Sequence, residues 1–218
     1  NFGDTLRRYH EHYHDKIGRG PTEHQGEGIA SAHDVIRYKH PVSADDIIPD
    51  TLPRALWQDE LDGSSLLDYR LTDPGKLDFA RDGIRKSYAI DAATVTLSWQ
   101  LNGLAGRRFG TRLHLAMPSC DGFLGRYVLA DESIPGGFGQ AIDLAETSSL
   151  RLEDGVLGGH LTLKLSIPAQ ITGRPQQTVS QSEAGFEKIM QSTALHLHWL
   201  IPDDCCTLQL QLSIEPRP

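Results

Sequence analysis

Four runs in this chain alternate apolar and polar residues with period two, and that alternation dominates what it can fold into. Val95, Leu97, Trp99 and Leu101 fall on one side of the first run. Leu161, Leu163, Leu165 and Ile167 alternate with Thr162, Lys164 and Ser166, and the pattern returns at Leu195, Leu197, Trp199 and Ile201 and at Leu208, Leu210, Leu212 and Ile214. Successive side chains of a strand point to opposite faces, so such runs require sheets with one buried face. Weaker strand candidates cover 33–39, 55–59, 66–70, 85–90, 109–117, 126–130 and 177–183. Turn signals stand between the runs at Asp62-Gly63, Asp73-Pro74-Gly75, Asn102-Gly103, Asp121-Gly122, Pro135-Gly136-Gly137 and Asp154-Gly155. Short strands punctuated in this way predict a mainly β chain, a sandwich or barrel and not a parallel sheet with crossover helices, with one large sandwich as the working architecture. With 218 residues, one sandwich over 29–215 accounts for the chain without a second domain.

The amino-terminal segment breaks the pattern. Phe2, Leu6, Tyr9, Tyr13 and Ile17 form a stripe at helical spacing, with Asp4 near its start and Gly18-Arg19-Gly20-Pro21 as its stop. A helix within 1–20 is the expectation. The chain begins inside that pattern without Met, so it reads as an excised fragment.

Charge and cysteine content remove several function classes. A net charge of -8, with 21 basic residues scattered among 29 acidic ones, opposes nucleic-acid binding. No apolar run approaches the ~20 residues of a membrane span. Three cysteines, two of them adjacent at Cys205 and Cys206, make neither a disulfide framework nor a zinc knuckle. Reduced thiols and a cytoplasmic setting follow.

Candidate chemistry is sparse. His10 and His14 lie one helical turn apart, but no third ligand stands at a metal spacing, so neither a metal site nor a cofactor is expected. His33 and Asp34 are neighbours on a strand and would face opposite ways. Arg112 and His114 share the polar face of 109–117, where they line a sugar groove or a solvated surface. Glu183 and Glu187 are four residues apart in an undecided conformation. Trp57, Tyr69 and Tyr127 are candidate platforms for sugar stacking, whereas Trp99 and Trp199 sit in core registers. Glycosidase chemistry needs two flanking carboxylates, and no pair is singled out by spacing.

The string Thr178-Val179-Ser180-Gln181-Ser182-Glu183-Ala184-Gly185-Phe186-Glu187 resembles a motif near the end of the family-57 α-amylases and 4-α-glucanotransferases. Ordered, weaker matches accompany it: Asp4-Thr5-Leu6-Arg7-Arg8, Tyr13-His14-Asp15-Lys16-Ile17, Ser31-Ala32-His33-Asp34, Ser65-Leu66-Leu67-Asp68 and Phe109-Gly110. The resemblance implies a C-terminal domain of unknown function with a galactose-mutarotase-like sandwich. Its partner would be an N-terminal catalytic barrel of the same parent chain, which carries the essential carboxylates. No catalytic residue is carried over. Arg112, His114, Trp57, Tyr69, Glu183 and Glu187 are kept as candidate contacts to α-glucan. Tyr69-Arg70 stands where the family leads one to expect a His-aromatic pair, and Arg112 and His114 stand where Glu and Asn are expected. The alternatives are an independent mutarotase or epimerase drawing on His33, His114, His196 and His198, and a stand-alone carbohydrate-binding module. A homo-oligomer stays open.

Overall fold

The computed structural model describes residues 8–17, 36–51, 54, 56–73, 75–117, 119 and 124–216. The residues 33–35 of the first strand candidate, the Gly18–Pro21 stop, His33-Asp34, Pro74 and the Asp121-Gly122 turn lie outside them. The chain divides into two units, one of Asn1–Ala55 with Gln176–Ser192, the other of Leu56–Pro175 with Thr193–Pro218.

The alternating runs become long antiparallel strands, most of them in the second unit. The strands are β1 (Gln58–Leu61), β2 (Ser64–Ser65), β3 (Arg70–Asp73), β4 (Leu77–Arg81), β5 (Ile84–Ile90), β6 (Thr94–Asn102), β7 (Arg108–Leu115), β8 (Gly125–Leu129), β9 (Gly136–Gly137), β10 (Ile142–Asp154), β11 (Gly159–Ser182), β12 (Gly185–Leu200) and β13 (Cys205–Pro216). The ends of β11 and β12 that meet in their hairpin belong to the first unit. Hydrogen bonding links them in the order β2-β1-β7-β12-β11-β13-β6-β5-β4-β3, with β10, β8 and β9 branching from β11.

This sheet is not flat. β1 and β5 are six strand spacings apart in that order, roughly 29 Å on a plane. Yet Lys86 Nζ of β5 lies 2.8 Å from Asp59 Oδ2 of β1. The ring of Trp99 on β6 likewise stands 5.6 Å from Phe109 on β7 and 6.2 Å from Trp199 on β12. The sheet therefore folds over so that its two halves enclose a common core, as in an antiparallel sandwich. Leu97, Trp99 and Leu101, and Leu195, Leu197 and Trp199, all point into it and are buried.

Among the described residues, that core encloses a charged pair, Asp59 and Lys86. Asp59 accepts from Thr111 Oγ1 at 2.8 Å, Trp99 Nε1 at 3.0 Å, Tyr69 Oη at 2.8 Å and Lys86. Lys86 also donates to the Trp57 carbonyl at 2.7 Å and faces the rings of Tyr69, Tyr88 and Trp99. A buried charge is tolerable only when paired and fully hydrogen-bonded, and here both conditions hold.

The first unit is built differently. Between residues 8 and 17 only a five-residue 3-10 helix, His12–Lys16, occurs where the stripe predicts a continuous helix. The reason lies in its contacts: His14 is buried, with Nε2 at 3.1 Å from the Val179 carbonyl and Nδ1 accepting from Glu11 N–H. Tyr13 and Ile17 of the stripe pack on a small core of Ile36, Val179 and Phe186. A second 3-10 helix spans Ala44–Ile47. Tyr38 pairs with Phe186 in a parallel bridge, so the strand expected over 33–39 is a single bridge among its described residues.

Candidate functional site: a polar row on the outward face of β1, β7 and β12

Since Asp59 points into the core, Glu60 must point out, and the same rule turns His196 and His198 outward between Leu195, Leu197 and Trp199. Antiparallel register then lines them up. Glu60 is opposite Gly110 on β7, and Gly110 is opposite His198 on β12. In the next row Gln58, Arg112 and His196 stand abreast. Gly110 contributes no side chain, so Glu60 and the histidines approach across it. Glu60 Oε1 lies 2.9 Å from His196 Nε2 and 3.8 Å from His198 Nδ1. Arg112 Nη2 donates to the other carboxylate oxygen, Oε2, at 2.8 Å.

The electrostatics keep both rings neutral. Burial first, and then the neighbouring His198 with Arg112 adding to it, lower His196 to about 4, although Glu60 pulls the other way. Burial likewise lowers His198, with Arg108 and Arg112 adding to it. Two neutral imidazoles and a carboxylate so placed can accept a proton, hold a hydroxyl group or ligate a cation.

The residues nominated from sequence fare unevenly. Arg112 is here and half-exposed, but its guanidinium is committed to Glu60. His114 lies two residues along the same face of β7, opposite Ala194. Trp57 is a correction: it is 8% exposed, so it cannot be a sugar platform. Tyr69 is also corrected, because its hydroxyl is bound to Asp59 and Lys86 sits over its ring. Burial and the Asp59 charge push its phenol pKa up, which marks a locked structural tyrosine. Tyr127 is fully buried against Phe138. Glu183 sits in the turn between β11 and β12, whereas Glu187 is on β12 and pairs with Lys39. They form no joint site. The two core tryptophans are buried as expected.

Glu60 is the residue that sequence reasoning missed. Its strand is short and unpatterned, and only the pairing of β1 with β7 brings it to the histidines. In the first unit, a separate cleft is lined by Arg8, Tyr9, Glu11, Thr178 and Gln191, with Tyr9 52% exposed. No described helix is long and apolar enough to cross a membrane.

Comparison with known proteins gives a consistent set of likenesses. The family model described as "Alpha-amylase/4-alpha-glucanotransferase, C-terminal" matches residues 1–67 and 67–212. The chain is 26% identical over 207 residues to a 4-α-glucanotransferase of Thermococcus kodakarensis, covering 89% of this chain and 31% of that protein. An α-amylase of Pyrococcus abyssi is 25% identical over 210 residues, with 89% of this chain and 31% of the relative covered. The crystal structure of the 4-α-glucanotransferase from Thermococcus litoralis superposes with a TM-score of 0.57 at 16% identity, over 99% of this chain and 34% of that one. The chain thus spans about a third of the length of the curated relatives it matches.

Proposed function

Because the chain belongs to the α-amylase/4-α-glucanotransferase C-terminal family, we propose that it is a non-catalytic domain of an α-glucan-processing enzyme, packed against that enzyme's N-terminal catalytic barrel. The observation that carries this is the extent of the match: nearly the whole chain corresponds to one third of each relative. The chemistry of the described residues agrees with it. Asp59 is consumed by four donors in the core, and Glu60 faces the opposite way, so these adjacent carboxylates cannot flank one glycosidic bond. Glu187 is held below its ordinary range first by its hydrogen bond from Lys39, which makes it a paired surface carboxylate.

The burial of Trp57, Trp99 and Trp199 argues against a stand-alone carbohydrate-binding module, which needs exposed aromatic platforms. Exposed Tyr9 beside Arg8, Glu11 and Gln191 supports the first unit's cleft as a place for a glucan contact. Two assays test the reading. The purified chain is expected to release no sugar from maltooligosaccharides and to transfer none, and measurable turnover by the chain alone would sink the proposal. Titration with maltoheptaose, compared between the chain and Tyr9→Ala, decides whether the cleft touches glucan.

A further inference from the structure

We propose that Glu60, His196 and His198 form a binding site for a zinc-class divalent cation on the outward face of β1, β7 and β12, in a cradle kept open by Gly110. Nothing in the family reading above requires this site, and the argument for it is independent of that reading.

The first support is an unsatisfied cluster. Glu60 Oε1 and the two ring nitrogens all lie within 4.8 Å of one another. Both His196 Nε2 and His198 Nδ1 are buried, yet neither makes a well-aligned hydrogen bond: the 2.9 Å approach of His196 Nε2 to Glu60 Oε1 is out of line for one, and His198 Nδ1 stands off at 3.8 Å. Buried polar atoms are almost always satisfied, so two orphans converging on one carboxylate oxygen call for an explanation. A cation among them supplies it. Bonds of ~2.1 Å at tetrahedral angles place neighbouring ligand atoms roughly 3.4 Å apart. The observed separations of 2.9 Å and 3.8 Å bracket that value.

The second support is the cradle. A Cβ built on Gly110 would lie 3.0 Å from His198 Nδ1 and 3.2 Å from Glu60 Oε1. Its φ is not in the left-handed region, so no backbone requirement explains a glycine at the centre of this strand. Space between the three donors does. The third is the surrounding shell: Arg112 takes Oε2 of Glu60 and so fixes the carboxylate with Oε1 turned to the histidines. Two imidazoles and one carboxylate are the donor set of open zinc sites, and they do not suit calcium or magnesium, which take oxygen ligands. A water would complete the fourth position.

Zinc titration of the chain by calorimetry, with cobalt(II) as an optical probe, tests the assignment. The expected result is one zinc per chain, with visible bands of tetrahedral cobalt and a melting temperature that rises with zinc and falls back with chelator. His196→Ala and His198→Ala should each weaken binding at least about tenfold, the lower end of what even outer-shell changes do. Gly110→Ala removes no ligand and suits a strand better than glycine, so it should fold normally and lose the same affinity. Zinc uptake unchanged in the double histidine variant would belong to His10, His12 or exposed Cys205 and would overturn the proposal. So would full affinity in Gly110→Ala, or a wild-type chain that takes up no zinc. Circular dichroism of each metal-free variant confirms folding, and if a histidine variant fails to fold, the Gly110→Ala titration decides.

Discussion

The heaviest single residue is Asp59. Its carboxylate joins strands that are distant in the sheet order, and it compensates the ammonium of Lys86, which is 4% exposed. Replacing Asp59 with Asn keeps the size but leaves a buried cation uncompensated. A loss of about 3–5 kcal/mol in urea unfolding is expected, with a similar loss for Lys86→Met. Replacing the pair together by apolar residues should cost less than either single change, and the double-mutant cycle measures that coupling. His196 gives a pH signature. The folded protein holds it neutral down to about 4, whereas the unfolded chain binds a proton at the ordinary 6.5. The unfolded state therefore takes up protons first, and stability falls as pH drops from about 6.5 towards 4. His196→Gln should flatten that part of the stability curve, as read from melting temperatures across the window. The titratable or charged groups that shape it are His198, Glu60 and Arg112.

Among elements, the β11–β12 hairpin explains why the string around Thr178–Glu187 is distinctive. Gly185 has φ +112°, and a Cβ there would meet the Arg37 carbonyl oxygen at 2.5 Å. Its neighbour Phe186 is fully buried with Ile36 and Val179. The motif is thus a packing device of the first unit, and Glu183 and Glu187 accompany it without forming a site. Gly185→Ala should cost roughly 1–3 kcal/mol of local stability, seen as faster amide exchange at Phe186, whose N–H donates to the Arg37 carbonyl. Strand legibility followed periodicity. β6 and β13 match their alternating runs closely, because one face of each is buried over most of its length, from Leu97 to Leu101 and from Cys206 to Leu212. β10, over Ile142–Asp154, is not legible in the sequence because its register shifts between Leu144 and Thr147 and again before Ser149, with Glu146 at φ 44°. Such bulges scramble the alternation that reveals a strand. The turn that joins β4 to β5 carries its own sequence signal in Asp82-Gly83. The Asp62-Gly63 turn behaved as its sequence demands, with both residues at positive φ between β1 and β2.

At the scale of the second unit, stability rests on the closure of the sheet around Trp99, Phe109 and Trp199. Trp99→Ala removes the largest fully buried side chain and one donor to Asp59, so a loss of at least about 3–5 kcal/mol is expected, measured by chemical unfolding. By itself the amino-acid sequence determined which faces are buried, since alternation depends only on neighbours along the chain. It put His196 and His198 on one outward face and Trp99 and Trp199 in the core, and it carried the family resemblance in one hairpin string. It did not select the partner strands, because register depends on residues distant in sequence. Only the tertiary structure decided that β1 lies beside β7, that Gly110 opens the row between Glu60 and His198, and that strands six spacings apart in the sheet close Asp59 onto Lys86. The short 3-10 turn at His12–Lys16 has the same origin: a buried contact from His14 to Val179 outweighed a local helical stripe. Packing energy is collected across the fold, whereas periodicity is written along the chain, and the outward histidines acquired their glutamate only where the two met.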